Sequence, residues 1–215
     1  MKKTLLDYLF PPRCMLCHSV MENQTELGLC PDCHFEDYIN QAFQTAEGHV
    51  SFLYEDRLQQ AIYRMKYSGQ KQYGRFFAHW MAAEGKDWAA EKDFACVTSV
   101  PLAKSRRKNR GYNQAEEIAR ELGRLCRLPY MELLERIKDT LPQKSLGQAM
   151  RSSNLAGAFK VRDDVKEMPL HVCLIDDIYT TGSTIGECRN AILEAFPGTR
   201  VSFWVLAGRN LSENL

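Results

Sequence analysis

Hydrophobic and polar positions follow two different periods along this chain, and the two periods alternate over residues 50–207. Short apolar runs bounded by turn residues predict strands, whereas apolar positions three and four residues apart predict helices that bury one face. Strands are predicted at 50–54, 94–100, 131–137, 158–161, 171–175 and 201–207, and helices at 56–66, 72–83, 113–125 and 184–196. This alternation predicts an α/β fold with a doubly wound, mostly parallel sheet.

Two of the predicted helices carry a start signal. Asn113 with Glu116, and Thr184 with Glu187, match the spacing of a capping box at a helix N-terminus. The spacing of apolar residues gives each helix one buried face. The inward positions are Ala115, Ile118, Ala119, Leu122 and Leu125 in the first helix, and Ile185, Cys188, Ile192 and Ala195 in the second.

The N-terminal region has a different organisation. Residues 2–10 predict a short helix that Pro11 and Pro12 end. Residues 13–34 hold a cluster of cysteines, and residues 35–47 predict a linking helix. We therefore divide the chain into an N-terminal unit, residues 1–47, and an α/β domain, residues 48–215.

Composition and charge restrict the classes of function. The 215 residues are 45% hydrophobic and 26% charged, with a net charge of +1, which is ordinary for a soluble globular protein. A nucleic-acid partner would therefore need a local basic patch. No apolar run approaches the roughly 18 residues of a membrane span, and Met1 to Phe10 lacks a signal-peptide core. The sequence predicts a cytoplasmic protein without membrane insertion.

Four cysteines have the spacing of a zinc ribbon. Cys14, Cys17, Cys30 and Cys33 form C-x2-C-x12-C-x2-C, and each pair can place two thiolates on one tetrahedral ion. Four thiols leave no open position, which predicts a structural Zn²⁺ that supplies folding energy to a segment too short for its own core. A redox pair or two disulfides are the alternatives, less favoured in a reducing compartment. The other cysteines are predicted to be buried apolar side chains: Cys96, Cys126, Cys173 and Cys188.

An acidic pair followed by a hydroxylated loop predicts a sugar-phosphate site. Asp176 and Asp177 end an apolar run, and Thr180 to Thr184 lead into a helix. Carboxylates accept hydrogen bonds from ribose hydroxyls, and loop amides at a helix N-terminus bind phosphate. The carboxyl end of a parallel strand is also where ligands bind. We interpret the segment as a 5-phosphoribosyl-1-pyrophosphate (PRPP) site. An ordinary βα junction with capping residues is the alternative.

Basic residues accompany this predicted anion site. A loop is predicted at 104–111 with five positive charges, of which Lys104, Arg106 and Arg107 can neutralise pyrophosphate. Residues 138–157 are polar, and a loop of about 20 residues is more often a lid than a passive connection. Lys144 and Arg151 would arrive with that lid. The loop 104–110, with Tyr112 after it, could also contact a phosphate backbone and stack one base. Solvated surface charge is the alternative for each cation.

Four sequence blocks together resemble the ComF (ComFC/GntX-like) family, which joins a four-cysteine zinc ribbon to a type I phosphoribosyltransferase domain. The resemblance covers nearly the whole chain, and its most specific block is Arg110 to Glu116. The blocks are the four zinc-ribbon cysteines, then Val100-Pro101-Leu102 with Arg110 to Glu116, then Gln143 to Arg151 with Asn154 and Gly157-Ala158-Phe159, and finally the acidic motif.

The resemblance implies roles for individual residues. Asp176 and Asp177 would be the catalytic positions and hold the ribose hydroxyls, and Leu102 to Ser105 would face the pyrophosphate. Residues 138–157 would be the loop that closes over the site. The 5-phosphate would be held by Thr180, Thr181, Gly182, Ser183 and Thr184. The family's role is natural transformation, the handling of incoming single-stranded DNA, so a helicase or recombination protein is a possible partner.

Three functions follow from these expectations. The first is a DNA-uptake protein with a PRPP-binding domain. The second is a metabolic phosphoribosyltransferase that acts on a small base or amine, in which Mg²⁺ would stabilise the leaving pyrophosphate. The third is a regulator that senses PRPP without catalysis. The sequence lacks the P-loop and dinucleotide-binding motifs, and no signature identifies an acceptor.

Overall fold

The computed structural model of the chain describes residues 10–39, 41–45, 47–138 and 155–209. The strands in these ranges are β1 (Phe43–Gln44), β2 (Gly48–Leu53), β3 (Cys96–Ser99), β4 (Leu134–Arg136), β5 (Phe159–Val161), β6 (His171–Tyr179) and β7 (Arg200–Gly208). The α-helices are α1 (Asp56–Tyr67), α2 (Tyr73–Glu91), α3 (Lys104–Arg110), α4 (Gln114–Cys126) and α5 (Ser183–Ala195).

Five strands form the main sheet, in the order β1-β2-β7-β6-β3. The strands β2, β7, β6 and β3 pair in parallel, and only β1 pairs antiparallel, with β2. The predicted mostly parallel α/β sheet is therefore confirmed. Because the carboxyl ends of parallel strands meet at one edge, the loops after Leu53, Ser99 and Tyr179 come together there.

Helices cover both faces of the main sheet, as a doubly wound fold requires. Cys173 and Ile175 of β6 pack into a core that includes α1, α2 and α4, whereas Leu174 packs with α5 on the other face. This alternation follows from the two-residue period of a strand. No helix in the described ranges is both long and apolar enough to cross a membrane.

The predicted strands at 131–137 and 158–161 form a separate small sheet. They are shortened to β4 and β5, which pair antiparallel with Leu134 opposite Val161. Leu134 and Phe159 are buried in the same core cluster as Ile185 of α5. The small sheet therefore packs beside α5 and adds no strand to the parallel sheet.

The prediction of a helix over 35–47 is wrong. A 3₁₀ turn, Phe35–Asp37, is followed by the short strand β1. Phe35 packs edge-on against Phe52 and Trp80, and Phe43 pairs with Val50 at the edge of the sheet. Contacts distant in sequence have overridden the local helical pattern. Of the helix predicted at 2–10, residues 2–9 lie outside the described residues.

Two further elements differ from expectation. The segment predicted as a basic loop is the helix α3, which ends at Gly111 with φ +80°. The helix α5 begins after Gly182 with no side-chain cap, so the predicted Thr184/Glu187 capping box is absent. Glu187 instead accepts a hydrogen bond from the Gly157 amide at 3.1 Å. Ala195, predicted to face inward, is exposed.

The cysteine-rich segment shares its core with the α/β domain. Cys14, Met15 and Phe35 belong to the same buried cluster as residues of α1 and α2. Arg64 of α1 donates to the Met15 carbonyl at 2.6 Å, and the Trp80 indole of α2 donates to the Leu27 carbonyl at 3.0 Å. The segment is therefore docked firmly on these two helices.

Candidate functional site

The four N-terminal cysteines are arranged as a closed metal site. All four Sγ atoms lie within 4.8 Å of one another, and the Sγ atoms of Cys17 and Cys30 are 3.6 Å apart. A tetrahedral zinc ion with Zn–S bonds of about 2.3 Å places its sulfurs about 3.8 Å apart. All four thiols are free. The geometry supports a structural Zn²⁺ held by Cys14, Cys17, Cys30 and Cys33.

The remaining cysteines are buried or partly buried, as predicted, and two histidines lie on the surface of the ribbon. His18 and His34 are exposed beside the ribbon. Cys96, Cys173 and Cys188 are buried, and Cys126 is partly buried. Burial raises the pKa of Cys96 to about 11. Such thiols remain protonated at neutral pH and serve as small apolar side chains.

A cleft of about 720 Å³ opens at the carboxyl edge of the parallel sheet. It brings together Asp176, Asp177, Thr180, Thr184 and Arg106 of the predicted site. The other lining residues are Tyr54, Lys66, Tyr67, Gly69, Val100, Pro101, Leu102, Asn109, Arg110, Asn113, Gln114, Arg136 and Ile178.

Several predicted site residues are not among those lining the cleft. Lys104 is exposed on α3, and Arg107 forms an ion pair with Glu116 at 3.2 Å. The cleft is lined by Thr180 and Thr184 but not by the three residues between them in sequence, Thr181, Gly182 and Ser183. Lys144 and Arg151 lie outside the described residues.

The two carboxyl groups of the acidic pair lie in different environments. Burial raises the pKa of Asp176 to about 7, and the adjacent charge of Asp177 adds to the effect. The Asp177 amide donates to Asp176 Oδ1 at 2.8 Å. Lys66 Nζ of α1 lies 2.8 Å from Asp177 Oδ1, which neutralises the outer carboxylate. The end of β6 therefore offers two carboxylates that can accept hydrogen bonds from ligand hydroxyls.

The turn before α5 has the geometry of an anion-binding loop. Gly182 has φ +73°, and a Cβ atom there would lie 2.8 Å from the Tyr179 hydroxyl oxygen. The hydroxyl oxygens of Thr181 and Ser183 are 2.8 Å apart, which ties the turn together. The N-cap residue Gly182 has no side chain to bond the first-turn amides, and the Ser183 amide makes only a long bond, 3.5 Å, to Thr181 Oγ1. Uncapped first-turn amides, with the helix dipole behind them, are donors for a phosphate.

The cleft is also lined by three cations that were not predicted to belong to the site: Lys66, Arg110 and Arg136. Lys66 is 111 residues from Asp177 in sequence, so no local pattern connects them. The contact depends on where α1 ends in the folded protein, which no sequence pattern indicates.

The block from Arg110 to Glu116 holds the wall of the cleft in place. Asn113 caps α4 by accepting from the Ala115 amide, and its Nδ2 donates to the Val100 carbonyl at 2.9 Å. The Tyr112 hydroxyl donates to the Met65 carbonyl of α1. Tyr112 is buried, so the expectation that it stacks on a nucleic-acid base is wrong.

Comparisons with known proteins support the zinc ribbon and show similarity to competence proteins. Residues 5–43 match the family described as the double zinc ribbon domain. Competence protein F of Haemophilus influenzae is 34% identical over 113 residues, 52% of this chain and 49% of that protein. Competence protein ComFC of Streptococcus pneumoniae is 28% identical over 187 residues, 86% of this chain and 74% of that protein.

The chain is therefore similar in sequence to competence proteins of the ComF type. It spans about half the length of the Haemophilus relative. Among solved structures, adenine phosphoribosyltransferase is 10% identical with a TM-score of 0.44, over 83% of this chain and 91% of that one.

Proposed function

We propose that this protein is a member of the ComF family that acts in natural transformation, and that it binds PRPP with Mg²⁺ in its cleft and single-stranded DNA beside it. The observation that carries the proposal is the meeting of an acidic pair, a helix N-terminus and several cations in one cleft. The names of the relatives support the competence role.

Each part of the cleft has a role in this proposal. The turn from Thr180 to Thr184 holds the 5-phosphate through its amides and hydroxyls. Asp176 and Asp177 accept the ribose hydroxyls. Arg106 faces the pyrophosphate and neutralises part of its charge. Magnesium, when bound with PRPP, supplies charge stabilisation to the pyrophosphate.

Binding of PRPP is the first test of this proposal. Calorimetric titration of the zinc-loaded protein with PRPP and MgCl₂ should show one site, and the Asp176→Asn/Asp177→Asn variant should bind at least about 10-fold more weakly, since each lost charged acceptor is worth about 1.5 to 3 kcal/mol. The control is Glu194→Gln, the same chemical change at an exposed position in α5. Equal PRPP affinity in the wild type and the double variant would contradict the assignment of the carboxylates.

The metabolic transferase is the second candidate, because the same cleft has the volume and the cations to hold a substrate beside PRPP. Release of pyrophosphate, measured with a panel of small bases and amines and without DNA, distinguishes the two functions. Turnover with one such acceptor would support the transferase. Helicase and recombination partners, and cytoplasmic location, stay predictions from the sequence.

A further inference from the structure

Two tyrosines form an exposed aromatic pair on α1. Tyr63 and Tyr67 are four residues apart and therefore lie on one face of the helix. Their ring centroids are 4.7 Å apart, and the ring planes are inclined by 43°. The residues are 54% and 51% exposed. About half of each residue is thus accessible to solvent and to a bound molecule.

Arg110 joins this aromatic pair to the basic helix α3. Its Nη2 donates to the Tyr67 hydroxyl at 3.1 Å, and its guanidinium carbon lies 4.8 Å from the centre of the Tyr67 ring. Its Nη1 donates to Gln114 Oε1 at 2.9 Å. The guanidinium is therefore fixed over the aromatic surface, where it favours an anion beside the rings.

The helix α3 supplies the charge of this surface. Its seven residues include five cations and no acid. Lys104 and Lys108 are exposed, and neither of them forms an ion pair within the described part of the chain. Arg107 is partly neutralised by Glu116. Because the chain as a whole has a net charge of only +1, this helix is a local basic patch of the kind that a phosphate backbone requires.

The aromatic and basic surfaces are continuous with the cleft. Tyr67, Arg106, Asn109 and Arg110 line its mouth as well as belonging to the outer surface. Phosphates bound by Arg106 and Arg110 would therefore lie at the edge of the proposed PRPP site. We name the patch formed by Tyr63, Tyr67, Arg110 and α3 the tyrosine–arginine surface.

We propose that the tyrosine–arginine surface binds single-stranded nucleic acid, with bases on the two rings and phosphates on α3. The inference rests on the nucleic-acid part of the proposed function and gives that part a location. Only an unpaired strand offers base faces and phosphates together, since a duplex covers its base faces by stacking. An acidic peptide would match the charge of α3 but would leave the paired rings without a stacking partner.

The test is fluorescence anisotropy of labelled oligo(dT) and oligo(rU), measured over a salt series with the full-length, zinc-loaded protein. The Tyr63→Ala/Tyr67→Ala variant should bind about 10-fold more weakly or worse, because stacking is worth about 1 to 3 kcal/mol per base. Tyr63→Phe keeps the ring and should bind like the wild type. A preference for either oligonucleotide supports the surface and identifies DNA or RNA as its ligand.

The electrostatic part has its own measurement. Arg110→Gln, which removes the guanidinium held over Tyr67, should lower affinity and reduce the slope of log K against log salt by about 0.7, the value for one phosphate contact. The control is Leu170→Ala, which alters an exposed apolar residue just before β6, at the opposite end of the sheet from the cleft. Thermal unfolding of each variant checks that the fold is kept.

The outcomes separate the surface from the wider function. Suppose that the wild type binds oligo(dT) in a salt-dependent way and the double tyrosine variant binds equally well. The assignment of nucleic-acid binding to the tyrosine–arginine surface is then wrong, while the proposed function stands. If a duplex of the same length binds as tightly as the single strand, stacking is excluded and the surface is again wrong. If the wild type binds no oligonucleotide, both the surface and the nucleic-acid part of the proposed function fail, and PRPP binding is judged separately.

Discussion

Asp176 combines burial with a neighbouring like charge, and its protonation should control the stability of the protein without ligand. Its pKa is raised from an ordinary 3.8 to about 7. The folded state therefore holds this proton more tightly than the unfolded state does. Ionisation of Asp176 consequently lowers the free energy of unfolding as pH rises from about 4 to 7, and the loss persists at higher pH.

Asp176→Asn should remove this loss. The amide keeps an oxygen that can accept from the Asp177 amide, but it carries no charge. We expect the variant to gain about 1 to 3 kcal/mol over the wild type at about pH 8 and much less at about pH 4.5, with solvent screening reducing the full linkage value. Urea denaturation of both proteins at the two pH values measures the difference. An equal gain at both would show that the charge of Asp176 is not responsible.

At the scale of single residues, the sequence predicted the acidic pair and the cysteines but not their partners. Asp176 and Asp177 were selected because adjacent carboxylates at the end of an apolar strand are costly without a partner, and both line the cleft. Lys66 could not be found, because its contact with Asp177 depends on where α1 ends relative to β6. Tyr112 was misjudged for the same reason: its burial against Met65 depends on a distant helix.

Among the elements, the turn into α5 is the one most constrained by its backbone. Gly182→Ala should destabilise the protein by about 1 to 2 kcal/mol and weaken PRPP binding, since a side chain in the left-handed region is strained and would also meet the Tyr179 hydroxyl. Gly186→Ala, one turn further along α5, is the matched control. No atom lies within 4 Å of its added Cβ, and alanine is favoured in a helix.

Thermal unfolding and PRPP titration of both glycine variants test this requirement. Loss of stability and affinity only in Gly182→Ala would support the role of the left-handed turn. Equal behaviour of the two variants would show that the conformation of Gly182 is dispensable.

The elements that were predicted from a hydrophobic period are present in the structure. The segments without a clear hydrophobic period were predicted wrongly. The strands β2, β6 and β7 and the helices α1, α4 and α5 each have apolar positions that meet a core. The helix α3 has no buried residue, so only the helical propensity of its lysines and arginines could indicate it. At 35–47, packing of Phe35 and pairing of Phe43 decided the conformation.

In the whole molecule, α1 connects the zinc ribbon to the cleft. Arg64 binds two carbonyls of the ribbon, and Lys66 and Tyr67 in the next turn line the cleft. Loss of zinc should therefore lower the stability of the whole protein by at least about 3 kcal/mol, or about 6 to 12 °C in Tm. It should also weaken PRPP binding, because Lys66 loses its fixed position.

This coupling is tested with Cys30→Ser, and with wild-type protein from which zinc has been chelated and the chelator then removed. Calorimetry measures Tm, and titration with PRPP and MgCl₂ measures the cleft. Cys126→Ser, a change outside the ribbon, is the control. An unchanged Tm after zinc removal would mean that the ribbon does not support the domain.

The docking of the ribbon on α1 and α2 also has a consequence for synthesis on the ribosome. The four zinc ligands are translated before the helices that cover the ribbon's apolar side, the last of which ends at Glu91. At about 5 to 20 residues per second, that interval is roughly 3 to 12 seconds. During it, zinc can join the nascent chain before Phe76 and Trp80 exist to receive the ribbon. Metal supply at the ribosome would thus determine whether the emerging helices meet a finished partner or an exposed, aggregation-prone segment.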